Sequence, residues 1–422
     1  MNRRQFIATS SSIATAAQLR SQVRDRIESD RQLALQLLKP SARDLEYGSR
    51  LHQEALVFDA YGFAPRAAVD GEALRALMEA GASEMELQDH REDMTMTRAV
   101  GSHEERTEFV RAWNASGVTC IFQNCGEESS DPLRLIKRLA RFTYLTDHLP
   151  GVLRRTVGPT DVERAHADGV GSLYFTGNGV PLTQQWNSVD DELRYVRIFF
   201  QLGIRMMHVT YNRRNRLGDG CAEPANAGLS DFGRAAVAEM NRIGVIVDVA
   251  HSGWQTSFET ARTSSKPIVA SHTTCSQIYP HIRSKPDEVI RAIADTGGYV
   301  GICCIPRFLR RTGDILALID HIDYAVQEFG PDHVAIGTDV AYRSRFSDAE
   351  SRKVPPRRPS RTRFAALWPE DDFVETPAMT RSLAWTNWPL FTVGMVQKGY
   401  SDETIRKILG GNVLRVCRAA LA

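Results

Sequence analysis

Short β-branched runs alternate with amphipathic stretches from about residue 55 almost to the C-terminus, and this rhythm constrains the fold more than any other feature of the chain. Eight such runs stand out, at residues 55–61, 118–124, 171–177, 205–211, 245–251, 267–272, 298–304 and 333–340. Helical periodicity predicts helices between them at 190–201, 230–243, 287–295 and 315–329, several opened by a Ser or Asp able to cap the first turn. Eight strands with helices between them over roughly 300 residues predict an α/β fold of the closed (β/α)8 TIM-barrel type rather than an open doubly wound sheet. No GxGxxG follows the first run, so the dinucleotide-binding fingerprint is missing. A polar, helix-like stretch at 21–51 precedes the first strand. A helical stretch at 383–421, broken at Gly410-Gly411-Asn412, is expected to complete the outer layer.

Composition narrows the partners. With 42% apolar residues among 422, the chain can bury a large core, and 52 Lys plus Arg against 51 Asp plus Glu leave a formal charge of +1. Such a balance supplies no global field to draw in nucleic acid or an anionic membrane, so no nucleic-acid partner is expected. No run approaches the roughly 20 apolar residues of a transmembrane helix. The seven cysteines are odd in number and contain no CxxC, which reads as core thiols. Cysteine chemistry at Cys303 and Cys304 lacks a base beside it in sequence.

Two segments lie outside the barrel rhythm. Residues 1–20, with Arg3-Arg4-Gln5-Phe6-Ile7 ahead of a Ser/Thr/Ala stretch, resemble a twin-arginine export signal, which would send the protein to the periplasm; without it the chain is cytoplasmic. The remainder, 21–422, reads as one barrel domain carrying a basic insertion at 342–371. That insertion reads either as a lid or anion-binding wall at the barrel mouth, or, the preferred reading, as a solvated insertion or subunit contact in a homodimer.

In a barrel of this type the reacting groups sit at the C-terminal ends of the strands. These ends are polar here: Asp59-Ala60-Tyr61, Thr210-Tyr211-Asn212, Asp248 to His251, Ser271-His272 and Thr338-Asp339. His251 and His272, at the ends of adjacent strands, would point into one mouth at a separation that a single divalent metal can bridge. Asp339 would stand beside the metal's water, able to orient it and take its proton. Asp59 is a further candidate ligand. His208 precedes Tyr211 by three, so strand alternation assigns it to the opposite face as a packing residue.

These residues carry a family resemblance. Leu202-Gly203-Ile204-Arg205, Val209-Thr210-Tyr211-Asn212, Gly228-Leu229-Ser230-Asp231-Phe232-Gly233, Val247-Asp248-Val249-Ala250-His251-Ser252 and Ala270-Ser271-His272 resemble the membrane (renal) dipeptidase family. The similarity continues through His281-Ile282-Arg283, Ile336-Gly337-Thr338-Asp339 and Gly410-Gly411-Asn412-Val413-Leu414-Arg415-Val416. The resemblance implies an amidohydrolase-type barrel, a dinuclear zinc centre and hydrolysis of dipeptides. It implies His251 and His272 as metal ligands, Arg283 as the residue that meets the substrate carboxylate, and Asp339 as the acid beside the water. Tyr211 stands where the family has a substrate-facing histidine.

The chain also departs from the family pattern. Tyr61 and Phe63 replace the two ligands of its His-x-Asp pair, and the bridging glutamate falls near Thr176. A bridging carboxylate holds two cations about 3.5 to 4 Å apart, which Thr cannot do. The expectation is therefore a hydrolase with a reduced, mononuclear zinc site that cleaves a dipeptide or small carboxylate-bearing amide. The alternative is a non-catalytic barrel that binds a small carboxylate ligand.

Overall fold

The computed structural model describes residues 25–126, 130–356 and 368–421. Residues 1–20, expected to be an export signal, lie outside the described residues, as do Arg357, Arg358, Arg361 and Arg363 of the basic insertion. The strands are β1 (Phe58–Arg66), β2 (Cys120–Asn124), β3 (Leu153–Thr156), β4 (Gly171–Gly177), β5 (Ile204–His208), β6 (Ile246–Asp248), β7 (Ile268–Cys275), β8 (Ser284–Lys285), β9 (Tyr299–Ile302), β10 (Val334–Ile336) and β11 (Ala341–Arg343). They pair in the order β10-β9-β7-β6-β5-β4-β2-β1-β11, all parallel, with β3 on β4 and β8 on β7. The eight expected runs supply the eight barrel strands, and helices such as Val189–Gln201, Asp231–Ile243, Asp287–Asp295 and Ile315–Phe329 cover the outside.

Each barrel strand sends one side chain to a common layer inside: Phe58, Phe122, Tyr174, Met206, Ile246, Val269, Tyr299 and Ala335. This layer plugs the barrel below its mouth, as expected of a packed core rather than a pore. Alternate residues such as Ile121, Leu173, Val247, Val300 and Val334 face the helices.

The seam between β10 and β1 is joined by a carboxylate. Asp59, fully buried in β1, accepts hydrogen bonds from Thr338 N (2.9 Å) and Thr338 Oγ1 (2.6 Å) across the seam. It accepts two more from Tyr61 N (3.3 Å) and Trp385 Nε1 (3.2 Å). Asp339 N then donates to Tyr61 O at 2.9 Å. Asp59 thus closes the sheet and is no member of the histidine cluster. A Cβ on Gly62 would lie 2.4 Å from Asp59 Oδ2, so only glycine lets the carboxylate cross.

Three features differ from expectation. The 21–51 stretch is two helices, Arg26–Leu38 and Ala42–Glu54, because Lys39 turns left-handed ahead of Pro40. β3 is an added strand that shares an edge of β4 with β5. The insertion begins as β11, paired with β1, and continues into the helix Ser347–Ser351.

Burial lifts the Asp59 pKa to about 7, while its four donors favour the ionised form. Asp59→Asn sets an amide NH2 among those donors and should cost about 3 kcal/mol or more in urea unfolding. His52 bonds Thr392 Oγ1 and Ser116 O, and burial holds its pKa down to about 4. Between pH 6.5 and 4 the unfolded chain binds a proton there that the folded chain does not, so stability falls with pH over that window. His52→Asn should flatten that part of the stability curve.

Candidate functional site

Three imidazoles meet at the mouth of the barrel. His208 ends β5, His251 follows β6 by three residues, and His272 lies in β7 where its register with β9 shifts. One ring nitrogen from each lies within 4.8 Å of those of the other two, and all three rings are buried. The assignment of His208 to packing is thereby corrected. β5 ends at His208, so alternation cannot be counted on to Tyr211, and His208 shares the inward face of Met206.

The rings are anchored from behind. His208 Nδ1 lies 3.0 Å from Gly177 O, a pure acceptor, so Nδ1 carries the hydrogen. His251 Nδ1 meets Asn212 Oδ1 at 2.7 Å. His272 Nδ1 meets Ser271 Oγ at 2.8 Å, and that hydroxyl already donates to Asp248 Oδ2, so His272 Nδ1 is the donor. Three Nε2 lone pairs are therefore left facing one another. Those of His251 and His272 are 2.9 Å apart. His208 Nε2 has no hydrogen-bond partner; Asp248 Oδ2 is 3.1 Å away but out of line. Burial and the nearby Arg283 guanidinium hold His251 and His272 well below the ordinary imidazole range. Burial also lowers His208.

Two tyrosines cover the outer faces of the rings. Tyr61 stacks on His272 at 3.8 Å and Tyr211 on His251 at 4.0 Å. The Tyr61 hydroxyl donates to Asn178 Oδ1 at 2.6 Å, and burial drives its pKa well above 10. Above them opens a cavity of about 700 Å³ whose walls include Tyr61, Phe63, Arg66, Tyr211, His251, Phe308, Asp339, Arg343 and Trp368. Asp339 holds a left-handed backbone (φ 56°), a strained state that favours a fixed position at a site.

Other expected residues lie elsewhere. Arg283 is fully buried: Nη1 donates to Ala250 O and Nη2 to His272 O (2.9 Å), so it braces the two histidine segments and does not face the cavity. Thr176 Oγ1 is committed to Met206 O at 3.0 Å. Of the two readings of the basic insertion, the cavity wall is favoured over the preferred solvated or subunit contact, because its Arg343, Ser347, Ser351 and Trp368 line the cavity.

These donors suit one cation. A tetrahedral ion with metal–nitrogen bonds of about 2.0 to 2.1 Å needs its nitrogens about 3.3 Å apart; the His251–His272 pair stands at 2.9 Å and all three nitrogens lie within 4.8 Å of one another. The same ion would relieve the unpartnered His208 Nε2 and the opposed lone pairs of His251 and His272. Among the described residues no carboxylate lies within that same distance of all three nitrogens, although Asp248 Oδ2 stands 3.1 Å from His208 Nε2.

The comparisons agree with this architecture. Residues 69–350 match the model of the membrane dipeptidase family, peptidase family M19. An uncharacterised protein of the pqqA 5′ region of Klebsiella pneumoniae is 29% identical over 222 residues, 50% of this chain and 80% of that one. Dipeptidase tcpJ of Claviceps purpurea is 27% identical over 266 residues, 61% of this chain; the match spans 55% of that protein's length. An amidohydrolase structure from Pseudomonas aeruginosa superposes with a TM-score of 0.65 at 24% identity, covering 89% of this chain and 99% of that one. The dipeptidase AC structure superposes at 0.59 with 20% identity, covering 87% and 99%. With two thirds of its length inside the family model, the chain belongs to the membrane dipeptidase family of hydrolases, peptidase family M19.

Proposed function

We propose that this chain is a one-metal hydrolase in which His208, His251 and His272 hold a single divalent ion, zinc by the chemistry of three imidazoles, for cleavage of a dipeptide or small carboxylate-bearing amide. The observation that carries the reading is the convergence of three buried Nε2 lone pairs, each ring anchored behind by a hydrogen bond. Its family membership and its curated dipeptidase relatives support amide hydrolysis.

An ion at such a centre supplies Lewis acidity to polarise a carbonyl and lowers the pKa of water. The chain's own groups do the rest. His251 presents the floor of the site to the cavity, and Tyr211, stacked on it, bounds the substrate. Asp339 takes the proton of the attacking water. Arg283 acts indirectly, fixing the carbonyls of Ala250 and His272 so that both rings keep their aim. The non-catalytic barrel remains the alternative, and metal content separates the two.

Elemental analysis of protein loaded with zinc and dialysed should give one metal per chain. Cobalt loading should give the intense visible bands of a four-coordinate site. His208→Ala, His251→Ala and His272→Ala should each lose both signals. Asp339→Asn should keep the metal and lower kcat on dipeptides by about 100-fold or more. Absence of metal from the loaded protein would favour the binding barrel, and two metals per chain would overturn the mononuclear reading.

A further inference from the structure

Arg283 is fully buried, with Nη1 and Nη2 on backbone carbonyls and Nε unpartnered, and it does not line the cavity, so the cavity's own cations are the ones an entering anion meets first. Two other arginines are available. Arg66 ends β1 and Arg343 ends β11, and the two are register partners in that parallel pair, so their side chains leave the sheet as neighbours. Both line the cavity that has His251 at its floor.

The surroundings of this pair differ from those of nearby arginines. Arg307 is bonded to Glu375 at 2.8 Å, Arg310 to Asp371 at 2.7 Å, and Arg345 lies 3.5 Å from Glu108. Neither Arg66 nor Arg343 has a side-chain hydrogen bond or ion pair among the described residues. Arg66 instead rests on the ring of Phe63, with its guanidinium carbon 4.9 Å from the centroid. Burial, with Arg138 and Arg343 adding their like charges, lowers its pKa to about 10; Glu92 and Asp339 act the other way. Glu92 is already bonded to Arg138 and Arg141. Two like charges side by side at a sheet edge cost stability, and an anion between them removes that cost.

The backbone around Arg66 is fixed on both sides. Ala64 N donates to Gln123 Oε1 (2.7 Å), Ala67 N to Thr95 O (3.0 Å), and Ser344 N to Arg66 O (2.9 Å). Elsewhere on the cavity wall Phe308 and Trp368 stack at 5.5 Å, an apolar surface on the side of His251 and His281.

We propose that Arg66 and Arg343 form the anion-recognition element of the cavity and hold the carboxylate of an apolar, amide-bearing substrate whose scissile carbonyl reaches the histidine floor. The inference rests on the hydrolase reading for the amide, but the recognition itself does not require turnover. Two guanidinium forks favour a planar carboxylate over a neutral group of the same shape.

The test is calorimetric binding of 3-phenylpropanoate and of its uncharged analogue 3-phenylpropanol to the full-length protein, as purified and again after chelation. Neither probe has a bond to cleave, and chelation removes direct binding of the acid to a metal. The acid should bind at least about tenfold more tightly than the alcohol in both preparations. Arg66→Gln and Arg343→Gln should each erase most of that preference and leave the alcohol unchanged. Arg66→Lys should keep part of it. Arg343 is exposed, so its variant tests the idea even where Arg66→Gln fails to fold. Equal binding of acid and alcohol, no binding of the acid, or an unaltered preference in Arg343→Gln together with a folded Arg66→Gln would overturn the proposal. Cobalt uptake by the same variants stays at one equivalent if the metal reading holds, so the two ideas can fail separately.

Discussion

Everything at the mouth of this barrel hangs on one buried carboxylate. A parallel sheet of eight strands closes only if its first and last strands are joined, and here the Asp59 side chain makes the joint together with the main-chain bond from Asp339 N to Tyr61 O. The same carboxylate accepts from Tyr61 N, and Tyr61 O in turn accepts from Asp339 N. Position therefore passes from the seam to the tyrosine that covers His272 and to the acid on the cavity wall. A group that looks like a spare ligand in the sequence is the clasp that sets the others in place.

In the proposed one-metal centre, convergence of imidazoles stands in for carboxylate charge. Carboxylate ligands would neutralise much of a divalent ion and could bridge two; three neutral imidazoles do neither. The aromatic replacements fit that change. Tyr61 lies flat on His272, and Phe63 takes a place on the cavity wall where it supports Arg66.

The barrel was legible because its signals are local. Helices at 231–243 and 189–201 begin next to Ser230 and Ser188, whose hydroxyls cap them, and β-branched runs of the right length need no tertiary knowledge. What stayed hidden depends on where strands stop. β5 ends three residues before Tyr211, which moved His208 to the wrong face; its register partner Asp248, already counted among the strand ends, was the signal that would have recovered it. β1 runs on past Tyr61 through Gly62 and Pro65 to Arg66, two residues that argue against a strand until β11 is seen beside it. Arg283 was assigned by resemblance, and only the packed structure reveals that carbonyls occupy its fork.

Lys285 adds a titratable ammonium near the histidines. Its ammonium is wholly buried, held by Ser252 O and Ser257 Oγ, with burial lowering its pKa to about 7. With Arg283 it biases the floor of the cavity toward negative charge. In the proposed hydrolase, amide cleavage creates a new carboxylate at that floor, while the amine product gains a proton and is repelled. The two products then leave unequally, and the acid competes with the next substrate. Such an enzyme would be slowed by its own acid product.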